Sequence, residues 1–454
     1  MRPIVFCSAV SIILAACSSG TTDGSVIEEQ PEALTYWQDI APLVADHCLQ
    51  CHVEGGIGPL QLDDYDHVRS FGTLIEHVTR ERTMPPWGAT SDGSCGELAD
   101  SIALTDREIE RISRWVRAGM PEGEREEIRA PEPPVLTGTT DFQAPHFTPA
   151  IQGGELAEFD EYRCFALDSG VASAEFITGY DVVPGRPEIV HHVIGMLIDP
   201  DAPASPSSET AARTNGEQMR LLDEQSPDRD GWPCFGMAGE GVNVDAVPVA
   251  WAPGQGIVRY PNQSGVPFSP KHKLVIQIHY NLADSRNLGK DDQTTVRLRL
   301  EPRVERIGVY ALPDPMLASI RTAMPVTLPP GLHSTRYEWT RSARQIGLPE
   351  GTEALFYGVT PHMHERGRKY RMMVNAAGDS PECAIDVQRW DFHWQRTYFY
   401  ETPWTITADS SFSVACDYDT SKDTAPIKPG WGTRNEMCLA SLYFTLPFSE
   451  SGNL

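Results

Sequence analysis

From Glu122 to Pro134 the chain runs through a stretch dense in Glu, Arg and Pro with no apolar face to bury. Such a stretch connects folding units and cannot build one. On its N-terminal side apolar residues recur at helical spacing, with Trp37, Ile40, Leu43 and Val44 on one face and Ile109, Ile112, Trp115 and Val116 on another. On its C-terminal side the pattern changes to short runs of Val, Ile, Tyr and Phe broken by Gly, Pro, Asn and Asp, as in Glu188 to Ile198, Leu274 to Tyr280 and Leu442 to Leu446. Those runs read as strands of a β-sandwich. At 454 residues the chain also exceeds what one compact core holds, so a multidomain protein is expected, all-α in front and all-β behind.

Composition narrows the partners. With 40% hydrophobic and 22% charged residues the chain is neither disordered nor a polytopic membrane protein. A formal net charge of −26 argues against a nucleic-acid partner, which requires clustered Lys and Arg. The first residues read as an address: Arg2, an apolar run from Val5 to Leu14, then Leu14-Ala15-Ala16-Cys17, which resembles a bacterial lipobox. Cys17 is therefore expected to carry lipid, in preference to an ordinary cleaved signal or a buried first helix. Ser18 and Ser19 behind it point to the outer membrane, with the chain on the periplasmic side and touching the membrane only through its anchor. Of ten cysteines, Cys7 leaves with the signal and six others, Cys95, Cys164, Cys234, Cys383, Cys416 and Cys438, suit disulfides in an oxidising compartment.

The remaining pair stands in Cys48-Leu49-Gln50-Cys51-His52. C-x-x-C-H is the attachment pattern of a c-type haem, in which two thiols one turn apart form thioethers and the adjacent imidazole faces the iron. A chance redox or zinc C-x-x-C would leave His52 without a use. The second axial ligand should be a soft residue before the last helix, and Met84 in Arg82-Thr83-Met84-Pro85-Pro86-Trp87 fits, with His67 and His77 as the main competitors and Met120, after the last helix, read as a surface or packing residue. The segment resembles the small class I cytochromes c.

Histidines mark the β region. His279 stands on the opposite side of its strand from Leu274, Ile276 and Ile278. His191 and His192 are adjacent, so a regular strand would send them to opposite faces and a bulge must reconcile them. A lone strand histidine is usually a packed residue. His362-x-His364, however, has the spacing that sets two imidazoles on one strand face, a natural chelate. Imidazoles without carboxylate or thiolate suit copper or zinc, and a thioether would shift the preference to copper. Met437 is the candidate sulfur, although a Met beside Cys at a strand edge is ordinarily packing.

The ordered series Tyr162-x-Cys164, His191-His192, Trp251-Ala252-Pro253-Gly254, Ile278-His279-Tyr280, His362-x-His364 with Gly367-Arg368-Lys369, and Glu436-Met437-Cys438 spans about residues 140 to 450. It resembles the copper type II, ascorbate-dependent monooxygenases, the family of peptidylglycine α-hydroxylating monooxygenase and dopamine β-monooxygenase. The resemblance implies two jelly-roll sandwiches. One binds an electron-transfer copper through His191, His192 and His279, with Tyr162 behind the ligands. The other binds the copper where oxygen and substrate meet, through His362, His364 and Met437. It further implies disulfides Cys164 to Cys234 and Cys416 to Cys438, and leaves Cys95 and Cys383 either paired across domains or free. Where the peptide-amidating members hold a substrate carboxylate, this sequence has Thr360, Leu439 and Ser441, which argues against a glycine-extended peptide.

The expected division is a signal peptide over 1–17, a tether over 18–34, a cytochrome c-like domain over 35–121, a linker over 122–138, and copper sandwiches over 139–305 and 306–454. The expected function is hydroxylation of a small organic substrate with dioxygen, using two coppers, with electrons from the attached haem c or an external donor. The competing reading is a non-catalytic copper-binding or electron-transfer lipoprotein, which an oxygen-uptake measurement would separate from an enzyme.

Overall fold

A computed structural model of the chain describes residues 34–54, 58–126, 135–151, 159–205, 213–234, 237–376 and 380–448. Cys7, Cys17 and most of the expected tether lie outside these residues. Among the described residues no helix is long and apolar enough to cross a membrane.

The N-terminal unit is helical. A π-helical turn at Tyr36–Ile40 leads into the helix Ala41–His47, followed by Tyr65–Ser70, Gly72–Arg80 and Asp106–Arg117. The last of these starts from a capping box in which the Thr105 hydroxyl accepts from the Glu108 amide and the Glu108 carboxylate accepts from the Thr105 amide. Its buried face carries Ile112 and Trp115 onto Trp37, Ile40, Leu43 and Val44, so the two periodic segments read from the sequence meet in one core. Each large side chain so buried contributes roughly 1.5–3 kcal/mol.

Within this unit one segment belongs elsewhere. Trp87 sits in the core of the last sandwich, and Ala89, Leu98, Ile102 and Ala103 pack against that core. The Thr90 amide donates to the Asp386 carbonyl at 2.8 Å, and the Glu401 amide donates to the Glu97 carbonyl at 3.0 Å. Cys95 is disulfide-bonded to Cys383 across 288 residues of sequence, which answers the question the sequence leaves open for this pair. The helical unit is therefore joined to the β region by a covalent staple and a shared core as well as by the Glu/Pro stretch.

The β region is two sandwiches sharing one long sheet. Five strands order as Trp232–Pro233, Asp160–Asp168, Lys273–Asn281, Val190–Ile198 and Ala246–Trp251. Four more order as Thr335–Ser342, Ser411–Tyr418, Gly367–Asn375 and Glu382–Val387. Between these layers runs the nine-stranded sheet, along Thr139–Gln143, Thr295–Glu301, Glu175–Val183, Ser264–Phe268, Arg306–Ala311, Leu439–Pro447, Ala354–His362 and Tyr398–Ile406, with Val258–Arg259 pairing to Glu175–Val183. A short parallel pairing, Arg306 to Ser264 and Ile307 to Gly265, carries the sheet from one sandwich into the next. The seam is filled by tyrosines: Tyr443 stacks on Tyr260 with ring centroids 4.9 Å apart, and its hydroxyl lies 2.7 Å from Ser264 Oγ. Because Tyr357 and Tyr443 of the second sandwich enter the core of the first, the two cannot swing apart without exposing buried aromatic surface.

Candidate metal centres

Register decides the first cluster. The strand Val190–Ile198 lies antiparallel to Lys273–Asn281, with Val190 opposite Tyr280 but His192 opposite His279. One residue, His191, is extra. That bulge is the device the adjacent histidines require, since it lets both imidazoles stand on the side of His279. The ring centroids of His191 lie 4.3 Å from His192 and 4.9 Å from His279. One ring nitrogen from each of the three falls within 4.8 Å of the others.

The environment fixes which nitrogens are free. Nε2 of His279 lies 3.1 Å from Oδ1 of the fully buried Asp160, so that nitrogen donates and Nδ1 keeps its lone pair. Nδ1 faces Nδ1 of His191 at 3.3 Å. Tyr162, opposite His279 on the other neighbouring strand, stacks on the His279 ring at 4.1 Å with the planes 8° apart. Burial first, and the neighbouring imidazoles second, push the pKa of His191 and His192 well below the ordinary histidine value. Neutral imidazole is the ligand form, so this cluster holds its donors ready for a cation.

The second cluster is built where Ala354–His362 pairs with Leu439–Pro447. His362 is opposite Leu439, so His364 and Met437 continue beyond the paired ends of their strands. The His362 and His364 rings are 5.1 Å apart and nearly perpendicular. Nδ1 of His364 donates to the Asn435 carbonyl at 3.0 Å, and Nδ1 of His362 donates to Gln395 Oε1 at 2.6 Å, which leaves Nε2 free on each. Burial pulls the His364 pKa down to about 3. Met437 is 1% exposed, with its carbonyl held at 2.7 Å by the Tyr418 hydroxyl. Glu436 receives the amides of His364 at 3.0 Å and Arg366 at 2.9 Å, and burial pushes its carboxyl up to about 8. The disulfides Cys416–Cys438 and Cys164–Cys234 secure the strands beneath the two clusters, in the pairing the resemblance implied.

The loop 391–397 joins the clusters, and no periodicity or motif in the sequence marks it. Gly254 has φ +85°, and a Cβ there would lie 2.1 Å from the Trp394 ring, so only glycine lets this loop settle on the turn after Trp251. The loop then carries His393 Nδ1 to 3.2 Å from His191 Nε2. Gln395 Nε2 donates to the Phe392 carbonyl at 2.8 Å and to His192 Nε2 at 3.2 Å, while its oxygen holds His362. The His192 and His362 rings stand 6.3 Å apart. Both clusters open on one cavity of about 580 Å³, which His192, His362, His364 and Met437 all line.

Three imidazoles without thiolate, and two imidazoles with a thioether, are donor sets that fit copper. In the helical unit Cys48 and Cys51 are free thiols. His52 Nδ1 donates to the Leu60 carbonyl at 2.8 Å, and its Nε2 makes no hydrogen bond among the described residues, an arrangement that fits a haem ligand. Met84 follows the helix Gly72–Arg80, its amide donating to the Val78 carbonyl at 3.2 Å. Its neighbours Thr83 and Pro86 border a pocket of about 390 Å³ that His393 and Gln395 border from the other side. Met120 packs against the helical core, whereas His77 is exposed and His67 is bound to Asp63 at 2.9 Å.

The chain is 24% identical over 213 residues to DBH-like monooxygenase protein 1 of Mus musculus, covering 45% of this chain and 33% of the relative. It is 26% identical over 210 residues to tyramine beta-hydroxylase of Caenorhabditis briggsae, covering 44% and 34%. It is 23% identical over 206 residues to dopamine beta-hydroxylase of Rattus norvegicus, covering 43% and 31%. The chain thus spans about a third of the length of these curated relatives. Residues 317–451, which include His362, His364 and Met437, match the family model of the copper type II ascorbate-dependent monooxygenase C-terminal domain, and it is to that domain that the second sandwich is similar.

Proposed function

We propose that the chain is a copper-dependent monooxygenase that hydroxylates a small organic substrate with dioxygen, anchored through Cys17 on the periplasmic side of an outer membrane. The observation that carries the reading is the convergence of both histidine clusters and Met437 on one cavity. Copper, when bound, supplies one-electron redox chemistry and a coordination position open to dioxygen. His191, His192 and His279 would hold the ion that stores and passes an electron. His362, His364 and Met437 would hold the ion beside the substrate. Asp160, the Asn435 carbonyl and Gln395 fix the orientation and tautomer of His279, His364 and His362, so each presents its lone pair inward. The apolar cavity wall keeps bulk water from the reacting atoms.

Haem c, when attached at Cys48 and Cys51 with His52 and Met84 as axial ligands, supplies electrons from within the same chain. The motif, the two free thiols and the His52 hydrogen bond support this reading. Proximity supports it too, since the Met84 loop and His393 border the same small pocket.

The test is oxygen uptake by reduced, copper-loaded protein against a panel of small organic substrates, with isotopically labelled dioxygen tracing one oxygen atom into product. Two coppers per chain with labelled product is the expected result. Copper binding with no oxygen consumption for any substrate would favour the carrier reading instead.

A further inference from the structure

The cavity between the sandwiches is walled by apolar side chains, among them Ile194, Val247, Trp251, Leu312, Phe392 and Trp431. Its charged lining is sparse: Arg321, Arg396 and Asp314. Asp314 already serves the fold, because its Oδ1 accepts from the Leu317 amide at 2.8 Å and caps the short helix Pro315–Ala318.

Arg396 serves no such partner. Its Nε is buried without a hydrogen-bond acceptor, and its guanidinium forms no ion pair or hydrogen bond among the described residues. It is held on one side only by aromatic faces, with Cζ 4.4 Å from the centroid of Trp87 and 5.8 Å from that of Tyr398. Burial lowers its pKa from the ordinary arginine value and outweighs the opposing pull of Tyr398 and of the more distant Asp100. A guanidinium taken from water with no carboxylate in hydrogen-bond contact among the described residues is costly, and an anion that brings two oxygens to its planar fork recovers that cost. Arg396 stands in the wall between this cavity and the smaller pocket of about 390 Å³. It follows directly on Gln395, whose side chain bonds His362, so an anion bound on the cavity side would extend its remainder along the wall that carries the second cluster.

We propose that Arg396 recognises the anionic group of the substrate, and that the substrate is an apolar organic carboxylate whose hydrocarbon part fills the cavity beside His362, His364 and Met437. The proposal rests on the monooxygenase reading for the word substrate, and on the cavity alone for the binding. Thr360, Leu439 and Ser441, which also line the cavity, carry no cation, so the anion is received at the wall that holds Arg396. Two guanidinium groups against one carboxyl disfavour an ammonium ligand in the same place.

The experiment is isothermal calorimetry on the full, copper-loaded chain with 4-phenylbutyrate, its neutral amide, 4-phenylbutylamine and acetate. The carboxylate should bind at least tenfold more tightly than the amide and the amine, and acetate should bind far more weakly because it leaves the apolar wall uncovered. Arg396→Gln should remove the preference for carboxylate over amide while leaving amide affinity unchanged, and Arg396→Lys should retain part of it. Equal binding of carboxylate and amide by the unaltered protein, preference for the amine, acetate as tight as phenylbutyrate, or a uniform loss for all ligands in Arg396→Gln would each overturn the proposal. If Arg396→Gln does not fold, the four-ligand comparison on the unaltered chain and the Lys variant decide alone. A chain that prefers the carboxylate yet consumes no oxygen sinks the monooxygenase reading and leaves this one standing. Labelled product without a carboxylate preference does the reverse.

Discussion

Asp160 Oδ1 lies 3.1 Å from Nε2 of His279, and both side chains are buried. A carboxylate in that position fixes the tautomer and raises the basicity of a ligating imidazole. The Thr433 hydroxyl holds the other oxygen of Asp160 at 2.5 Å, so the carboxylate is positioned from both sandwiches. Asp160→Asn should weaken copper at the three-histidine site by roughly 10–100-fold. Copper at the His362/His364/Met437 site should be retained. Competition titration with a copper chelator, read by paramagnetic resonance, checks it, and equal loss at both sites would contradict the assignment.

Met437→Leu conserves volume in a buried position and removes only the thioether. The variant should fold with a stability change below about 1.5 kcal/mol, bind one copper in place of two, and lose hydroxylation. Metal analysis beside a thermal melt is the measurement. Retention of both coppers would return Met437 to a packing role.

The chain should carry one covalent haem through Cys48 and Cys51. Met84→Leu should abolish the weak sulfur-to-iron band near the red end of the visible spectrum without detaching the haem. An unchanged band would transfer the ligand role to Met120. In stopped-flow mixing of fully reduced protein with oxygen and substrate, haem oxidation should accompany product formation. A haem that stays reduced through turnover would remove it from the electron path.

The Cys95–Cys383 bond closes a loop of 288 residues between the helical unit and the last sandwich. Replacing both by Ser should cost roughly 2–5 kcal/mol and speed hydrogen exchange first at residues 87–103. Since Trp87 in that segment supports Arg396, carboxylate binding should weaken in the same variant. Exchange mass spectrometry reads the first effect and calorimetry the second.

Burial pushes the Asp314 carboxyl up from 3.8 to about 6. A carboxyl whose folded-state pKa is raised binds more protons folded than unfolded between those values, so its ionisation costs stability as pH rises through the window, and the cost is full above about pH 6. That cost is about 3 kcal/mol for a shift of roughly two units. Asp314→Asn keeps a capping oxygen for Leu317 and should stabilise the chain above pH 6, with the gain fading below pH 4. Denaturant melts at pH 4 and pH 8 decide it. An equal effect at both would mean that the carboxyl is not displaced.

The order of units is legible in the amino-acid sequence, because helical and strand periodicities differ and a charged Pro-rich stretch cannot be buried between them. Residue types and spacing also single out His192, His362, His364 and Met437, which line the cavity, and His191 and His279, which cluster with His192. The need for a bulge at His191-His192 was legible too, because the side-chain alternation of a strand forbids two neighbours on one face. Everything that depends on register between distant strands, and on loops without periodicity, emerges only when the chain is folded. Asp160 meets His279 only because their strands pair with Tyr162 opposite His279. Gln395 and His393 lie in a loop whose position depends on one glycine contact, and Cys95 finds Cys383 through an excursion out of a helical segment. Local periodicity records which way a side chain faces, whereas the partner across a sheet or a cavity is fixed by packing between segments far apart in the chain, and that information is distributed over the whole core.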